Sequence, residues 1–482
     1  MKKKAKKLGL LSVIALTAIV TACGGNNGKV NDSKGNETPP KEPSKTETQD
    51  TGQTSDKEIP LTVQFPKSDN TIEIPIYEDK MNRFKEKYPN VTMTKNDWWY
   101  KSDEIGIKMA AHQAPSGFYV PATEGSTLVE HQWAADLTPF LANYEHAKEF
   151  NEKLTEQFTI DGKVYAVPKN GYIMSVLINK KLFADKNVAL PSADWTWDDF
   201  YEAAKATADP AKGIAGFAIM AKGNEGGWNW TNFLYQAGGS AQKVEDGKVV
   251  SIFNSDAGVK AMEFMKKLRW EGDALPQNWA LNYGDVYNLF KQSRAAIVLG
   301  NSGQIEDAVN NGGMNKDDLL LLPMPSMEKG GPHVGVLGGN YMIVNPQESP
   351  ETQQAAFNFI TFDMFNDSEI DVLKKTIEDR KSKGQIYTYG NAAYYYTPDS
   401  EFGKKMASLI DQYPDTVYKI DPEVIKATTG IPEAAYNGQE YYAAITNVMQ
   451  EVFTNKDADV KALLDAAAKN FDSEVLSKVV VK

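Results

Sequence analysis

Residues 59–93 read IPLTVQFPKSDNTIEIPIYEDKMNRFKEKYPNVTM. Ile59, Leu61, Val63 and Phe65 alternate with polar or turn residues, the period of a half-buried strand. Tyr77, Met81, Phe84 and Tyr88 then recur at helical spacing, and Pro89-Asn90 stops the helix before a second strand around Val91 to Met93. Strand, helix, strand predicts a right-handed crossover in a mainly parallel sheet, so the body opens as an α/β fold.

Downstream the same grammar continues. Thr196 stands before Trp197-Asp198-Asp199-Phe200, where its hydroxyl can cap a helix whose first turn carries two acids. Ala295-Ala296-Ile297-Val298-Leu299 is a short continuous apolar run closed by Gly300, the pattern of a buried strand opening into a loop. Val460, Leu463, Leu464 and Ala467 mark an amphipathic helix near the C-terminus. No solenoid-type repeat is present. The stretch from Ile59 to Lys482 exceeds the usual size of one domain and predicts two lobes.

Upstream lies a different kind of sequence. Five lysines precede an apolar run from Leu8 to Val20, too short to span a bilayer as a helix, so residues 1–22 read as an export signal. Val20-Thr21-Ala22-Cys23 resembles a bacterial lipobox, which makes Cys23 the expected site of acylation and membrane attachment. Cys23 is also the only cysteine among the 482 residues, so internal disulfides cannot stabilise the body. Residues 23–58 are rich in Gly, Asn, Ser, Thr, Pro, Lys and Glu and cannot bury enough surface to offset their ordering entropy; they read as a disordered tether. Loss of the five leader lysines takes the formal net charge from −12 to −17, which argues against a nucleic-acid partner and against a basic membrane-binding face.

Catalytic signatures are absent from the sequence. His112, His131, His146 and His333 form no pair at metal-ligand spacing and have no nearby cysteine to join them, so no metal site is expected. There is no G-x-S-x-G elbow, phosphate loop or dinucleotide fingerprint, and no cofactor is implied. What the chain offers is aromatics among polar and glycine residues. Trp98, Trp99 and Tyr100 follow the second strand; Trp228 and Trp230 sit in NEGGWNWTNFLYQAGG; Tyr394, Tyr395 and Tyr396 are consecutive. Rings edged by amides and carboxylates suit pyranose sugars, whose C–H faces pack on the rings while polar groups take the hydroxyls.

Each aromatic also has a packing role to be weighed. Trp230, Phe233, Leu234 and Ala237 share helical spacing, so Trp230 is expected inside, whereas Trp228 is expected ahead of the helix and in contact with ligand. Trp98 and Trp99 are adjacent in an extended segment and point opposite ways, which makes one core and the other exposed without saying which.

The segment Asp161-Gly162-Lys163-Val164-Tyr165-Ala166-Val167-Pro168, then Ile178-Asn179-Lys180-Lys181-Leu182-Phe183, then Pro191 through Phe200, resembles the mid-chain signature of the family 1 extracellular solute-binding proteins. These are maltose-binding-protein-like sugar-binding lipoproteins of ABC importers. Phe290 to Ile297, Leu322-Pro323-Met324-Pro325 and Gly335-Val336-Leu337-Gly338-Gly339 extend the similarity over nearly all of the chain after residue 58.

The resemblance implies a type II periplasmic-binding-protein fold: two α/β lobes joined by hinge strands, with a ligand cleft between them. It places lobe I at 59–167 plus 335–385 and lobe II at 168–334 plus 386–482. It also implies ligand roles: Trp228 as a stacking ring, Tyr172 at a hinge, Thr123 and Glu124 in the loop after Phe118-Tyr119-Val120, and Gly339 and Asn340 at the second crossing. Trp98 and Trp99 join this set. Asn301-Ser302-Gly303 stands where maltose-binding relatives have a tryptophan, so Asn301 and Ser302 are expected to offer amide or hydroxyl contacts instead. Ser116 stands where an aspartate is usual. Both departures speak against maltodextrin as the ligand.

The function these readings favour is a lipid-anchored, monomeric, non-enzymatic receptor on the outer face of a bacterial membrane. It would bind a carbohydrate, an oligosaccharide, and deliver it to ABC permease subunits. Two other classes compete. A surface-anchored lyase or glycosidase would need an acid or base of displaced pKa in the cleft. A ferric-iron receptor would use the Tyr394-Tyr395-Tyr396 run, although packing is the plainer role for at least one of those rings.

Overall fold

The computed structural model describes residues 57–68, 70, 73–389 and 394–479. The expected leader, Cys23 and all but the last two residues of the expected tether lie outside the described residues. No described helix is long and apolar enough to cross a membrane.

The opening stretch folds as its pattern requires. Strand Ile59–Gln64 and strand Val91–Asn96 pair in parallel, Ile59 opposite Val91, with helix Glu73–Lys87 between them burying Met81 and Phe84. The sheet they begin has six strands, but it is mixed rather than mainly parallel. Strand His333–Val344 enters it antiparallel both to Gly117–Pro121 and to Val167–Ile173, and parallel to Thr428–Pro432. The reason is connectivity: this strand arrives from elsewhere in the molecule, not through a crossover helix of its own.

A second, four-stranded sheet holds Ser175–Asn179 between Leu319–Leu322 and Ala295–Gly300, with Ala215–Ala218 at the edge. Every residue of Ser175–Asn179 and of Ala295–Gly300 is buried, as the continuous apolar run predicts for a strand covered on both faces. Val176 and Ile178 pack into one core cluster and Leu177 into another on the opposite face. A separate cluster, built on Phe118, Val120, Tyr341 and Ile343, belongs to the first sheet.

Three of the segments that connect the two cores lie on or just beyond strands of the first sheet. Ile173 packs with the first sheet's core and Met174 with the second core, that of Val176 and Ile178, so the first crossing falls at this pair rather than at 167/168. Val336 and Leu337 divide the same way at the second crossing, two residues past the expected 334/335. The third runs from Pro432, paired with Leu337 in the first sheet, to helix Gly438–Thr454, whose Tyr441 and Tyr442 lie in the second core, with Val176 and Ile178.

The assignment of all of 386–482 to lobe II also needs correction. Tyr395, Tyr396, Phe402, Met406 and Val417 pack with the first sheet's core, while Ile386, Ile420 and Val424 pack with the second sheet's. Rings and methyl groups are buried on whichever core they can reach, so this segment serves both.

Two local expectations hold in detail. Thr196 and Asp199 form a reciprocal capping box on helix Trp197–Thr207. The C-terminal helix Val460–Glu474 buries Val460 and Leu464.

Candidate functional site

The site is assembled from residues on or beside the three crossings. Tyr172 lies opposite Gly338 on the paired crossing strands. Its ring covers that glycine so closely that a Cβ on Gly338 would sit 2.3 Å from the tyrosine oxygen. Glycine here lays the ring flat against the strand. Trp228 meets Tyr172 edge-to-face, with centroids 6.2 Å apart and planes at 85°.

Trp228 is not ahead of its helix, as its spacing from Trp230 suggests, but within the first turn of Glu225–Gln236. The glycine pair before it explains the difference. A Cβ on Gly227 would stand 2.2 Å from the Tyr442 carbonyl oxygen, and one on Gly226 would stand 2.8 Å from Thr446 Oγ1. Gly227 donates its N–H to Thr446 Oγ1 at 2.8 Å. The glycines therefore let the helix begin directly against Gly438–Thr454, and that contact carries Trp228 up to the crossings. Trp230 is fully buried in the second core, as expected.

On the first-sheet side, Trp98 is the buried member of its pair, 5.5 Å from Phe118, with its indole N–H donating to Glu104 at 3.0 Å. Trp99 is half-buried and lies 5.9 Å from Tyr119. Glu124, in the short turn Ala122–Glu124 after strand Gly117–Pro121, is 4% exposed and accepts the Tyr100 hydroxyl. Burial pushes its carboxyl up to about 7; the Tyr100 bond opposes this and the Glu440 charge adds to it. Thr123, also buried, accepts from Gln439 Nε2 at 2.7 Å, and Gln439 in turn takes the side-chain amide of Asn224 at the start of the Trp228 helix. Thr123 is thus part of a polar link between the two lobes.

Glu433, just beyond strand Thr428–Pro432, accepts the Tyr442 hydroxyl at 3.1 Å. Burial pushes it up to about 7; Tyr442 and the indole of Trp228 pull it back, and the charge of Glu124 raises it. Burial pushes the Tyr119 hydroxyl up to about 12, and the charges of Glu433 and Glu124 add to it. Tyr172 is raised by burial and by Glu433, Tyr119 and Tyr283. Trp228 and Tyr172 thus meet ring to ring, Trp99 meets Tyr119, and Glu433 is met by Tyr442.

The remaining expected residues lie at its margins. Gly339 and Asn340 sit in the first sheet opposite Gly171 and Asn170, and Asn340 donates its N–H to Asn170 Oδ1 at 3.3 Å. Asn301 uses its side chain to cap helix Ser302–Asn310, and Ser302 is buried. Tyr395 donates to Glu369, and Tyr396 contacts the Tyr389 hydroxyl; both are core rings. Among the described residues no group of three or more His, Cys, Asp or Glu is placed to hold a metal ion.

Glu433, Tyr119, Tyr442 and Tyr283 escaped the sequence reading of the site. Glu433 sits in Gly430-Ile431-Pro432-Glu433-Ala434, with no local mark of a cleft acid. A cavity of 970 Å³ opens beside it, between Ala122–Val129 and Pro432–Tyr436. Neither Tyr172 nor Trp228 lines that cavity, so it adjoins the aromatic site without containing it.

Comparison with known proteins agrees with this architecture. The family model of bacterial extracellular solute-binding proteins matches residues 68–364. The lipoprotein LipO of Bacillus subtilis is 22% identical over 415 residues, covering 78% of this chain and 79% of that one. The polygalacturonan/rhamnogalacturonan-binding protein YtcQ of the same organism is 24% identical over 361 residues, covering 70% and 68%. Among solved structures, the ABC substrate-binding protein Lmo0181 of Listeria monocytogenes, in complex with cycloalternan, superposes with a TM-score of 0.64 at 18% identity, over 86% of this chain and 98% of that one. That likeness establishes the type II two-lobe fold.

Proposed function

The chain belongs to the bacterial extracellular solute-binding proteins, and from that premise we propose that it binds an oligosaccharide in the cleft between its lobes and delivers it to an ABC permease. The observation that carries this reading is the edge-to-face pair of Tyr172 and Trp228, centred 6.2 Å apart, with the Trp228 indole acting on the Glu433 carboxyl. Rings of this kind pack on the C–H faces of a pyranose, and half-buried carboxylates take its hydroxyls. A relative named for binding polygalacturonan and a like-folded protein holding cycloalternan support a saccharide ligand. In this reading the protein is a receptor, not an enzyme. It is exported, acylated at Cys23 and held near its permease as a monomer through the residues that follow, so that binding and closure raise the local supply of loaded receptor.

The competing reading is a surface-anchored lyase or glycosidase, which would need a protonated acid and an ionised carboxylate facing each other across the cleft. A thermal-shift screen against an oligosaccharide panel, with the sugar followed by chromatography, separates the two. The receptor reading expects a raised melting temperature, an intact sugar, and loss of most of the gain in Trp228→Ala. Consumption of the sugar would replace it with the enzymatic reading, and a shift given by ferric iron alone would exclude both.

A further inference from the structure

The 970 Å³ cavity beside Glu433 is lined by neither ring of the aromatic pair, and its walls come from both sides of the molecule. On one side are the turn Ala122–Glu124, the helix Gly125–Glu130 and the segment from Glu156 to Tyr165, with Tyr165 packed on the first sheet's core. On the other is the third crossing, Pro432 to Tyr436, with Tyr436 packed on the second core. Two hydrogen bonds tie these sides together. The Ser126 hydroxyl donates to the Ala435 carbonyl, and Gln439 Nε2 donates to Thr123 Oγ1 at 2.7 Å.

Three polar groups on the walls have no hydrogen-bond partner among the described residues. The side-chain nitrogen of Gln157 is buried and unpaired. The hydroxyls of Tyr165 and Tyr436, both on half-buried rings, are likewise unpartnered. A buried amide N–H without an acceptor is costly, so it marks a place where a ligand atom can accept. A tyrosine offers an apolar face together with a hydroxyl that donates and accepts. Alcohol groups on a C–H framework answer all three. Their oxygens accept from Gln157 Nε2, their hydrogens and lone pairs serve the two tyrosine hydroxyls, and the C–H faces lie on the rings.

Other chemistries fit less well. A cation offers Gln157 no acceptor. An anion would meet Glu130, Glu156 and Asp161, while Lys163, the one lysine or arginine on the walls, already lies 3.5 Å from Asp136.

We propose that this cavity is a second binding site, separate from Trp228 and Tyr172, for a neutral polyhydroxylated compound of the size of a monosaccharide or an alditol. Its volume is in the range of small-molecule sites. The proposal goes beyond the function assigned to the aromatic pair and stands without it. Because the ligand would touch both sides of the third crossing, filling the cavity would also bias how the lobes stand to each other, and so couple to the first site.

The test is hydrogen-exchange mass spectrometry on the purified chain and on its Trp228→Ala variant, with glucose, galactose, mannose, sorbitol and xylitol as probes. At least one probe is expected to slow exchange in both 156–165 and 432–436, in the wild type and in Trp228→Ala alike. Calorimetric titration of that probe into Trp228→Ala should show saturable binding that weakens by about tenfold or more when Gln157→Ala and Tyr436→Ala are added. Protection confined to the segments around Tyr172 and Trp228, and lost in Trp228→Ala, would overturn the second site while leaving the carbohydrate reading in place. No protection of 156–165 and 432–436 by any probe would overturn it too, as would affinity unchanged by the two cavity substitutions. Protection of the cavity segments with no oligosaccharide bound at Trp228 would uphold the second site and sink the carbohydrate reading instead. The wild-type exchange map needs no substitution, so a folding defect in a variant does not decide the outcome.

Discussion

Trp228 and Glu433 stand next to each other and make opposite demands on the protein. Trp228 is half-buried, with one edge on the core and the other toward Tyr172, so its removal should cost ligand binding far more than stability. Trp228→Ala is expected to weaken saccharide affinity by about tenfold to a hundredfold, the usual range for an aromatic anchor, while calorimetry shows a cooperative unfolding transition close to that of the wild type. Glu433 is a cost to the fold. Its carboxyl is raised from the ordinary 4.5 to about 7, chiefly by burial. The folded state therefore binds more protons than the unfolded state between those values. Stability is greatest below the ordinary carboxylate pKa, falls as pH rises toward 7, and is flat above. Glu433→Gln should remove its share of that dependence, leaving that of Glu124, and raise the melting temperature at pH 8 by about 1–3 °C, with little change at pH 4.5. A pH series of melting curves checks both ends. Neither residue announces its role locally, because desolvation comes from what other segments place around it.

The helix Glu225–Gln236 shows how an element can be legible in type and misread in extent. Trp230, Phe233 and Leu234 mark its buried face, and all three are fully buried. Its first turn is invisible to the pattern, because Gly226 and Gly227 have poor helix propensity and serve a partner helix distant in sequence. Gly227→Ala must displace backbone at Tyr442, not merely a flexible side chain, and overpacking of that kind costs about 1–3 kcal/mol. Chemical denaturation should report the loss, and saccharide affinity should fall with it, since the same helix contact positions Trp228. Thr196→Ala is the contrasting case. It removes a capping box far from the cleft, so it should cost about 1 kcal/mol of stability and leave affinity unchanged.

At the scale of the whole molecule, the crossings at 173/174, 336/337 and after Pro432, together with Ile386, Ile420 and Val424, carry the chain between two separately packed sheets among the described residues. Every residue proposed to grip the ligand lies on or beside one of them or on the strand ends facing them. A ligand that touches both sides should favour the state in which they approach. Saturation at a hundred times the dissociation constant is expected to stabilise the protein by about 2.7 kcal/mol. Small-angle scattering should show a smaller radius of gyration with the saccharide than without it. An unchanged radius would mean that binding does not draw the lobes together.

Ile59 to Met93 carries its own structure in its hydrophobic period, and so do the buried strand at Ala295 and the cap at Thr196: these are local consequences of chain geometry, and sequence alone determines them. The order of weak motifs from Asp161 to Gly339 likewise implied two lobes and a cleft. The tertiary structure decided what depends on distant neighbours. It divided Trp98 from Trp99, drew Trp228 into a helix by way of two glycines, moved the crossings by several residues, and sent Tyr395 and Tyr396 to the first lobe's core. It also brought Glu433 to Glu124 across more than three hundred residues of chain. Periodicity records which face of an element is apolar; the charge and solvation of a cleft exist only once separate elements enclose it.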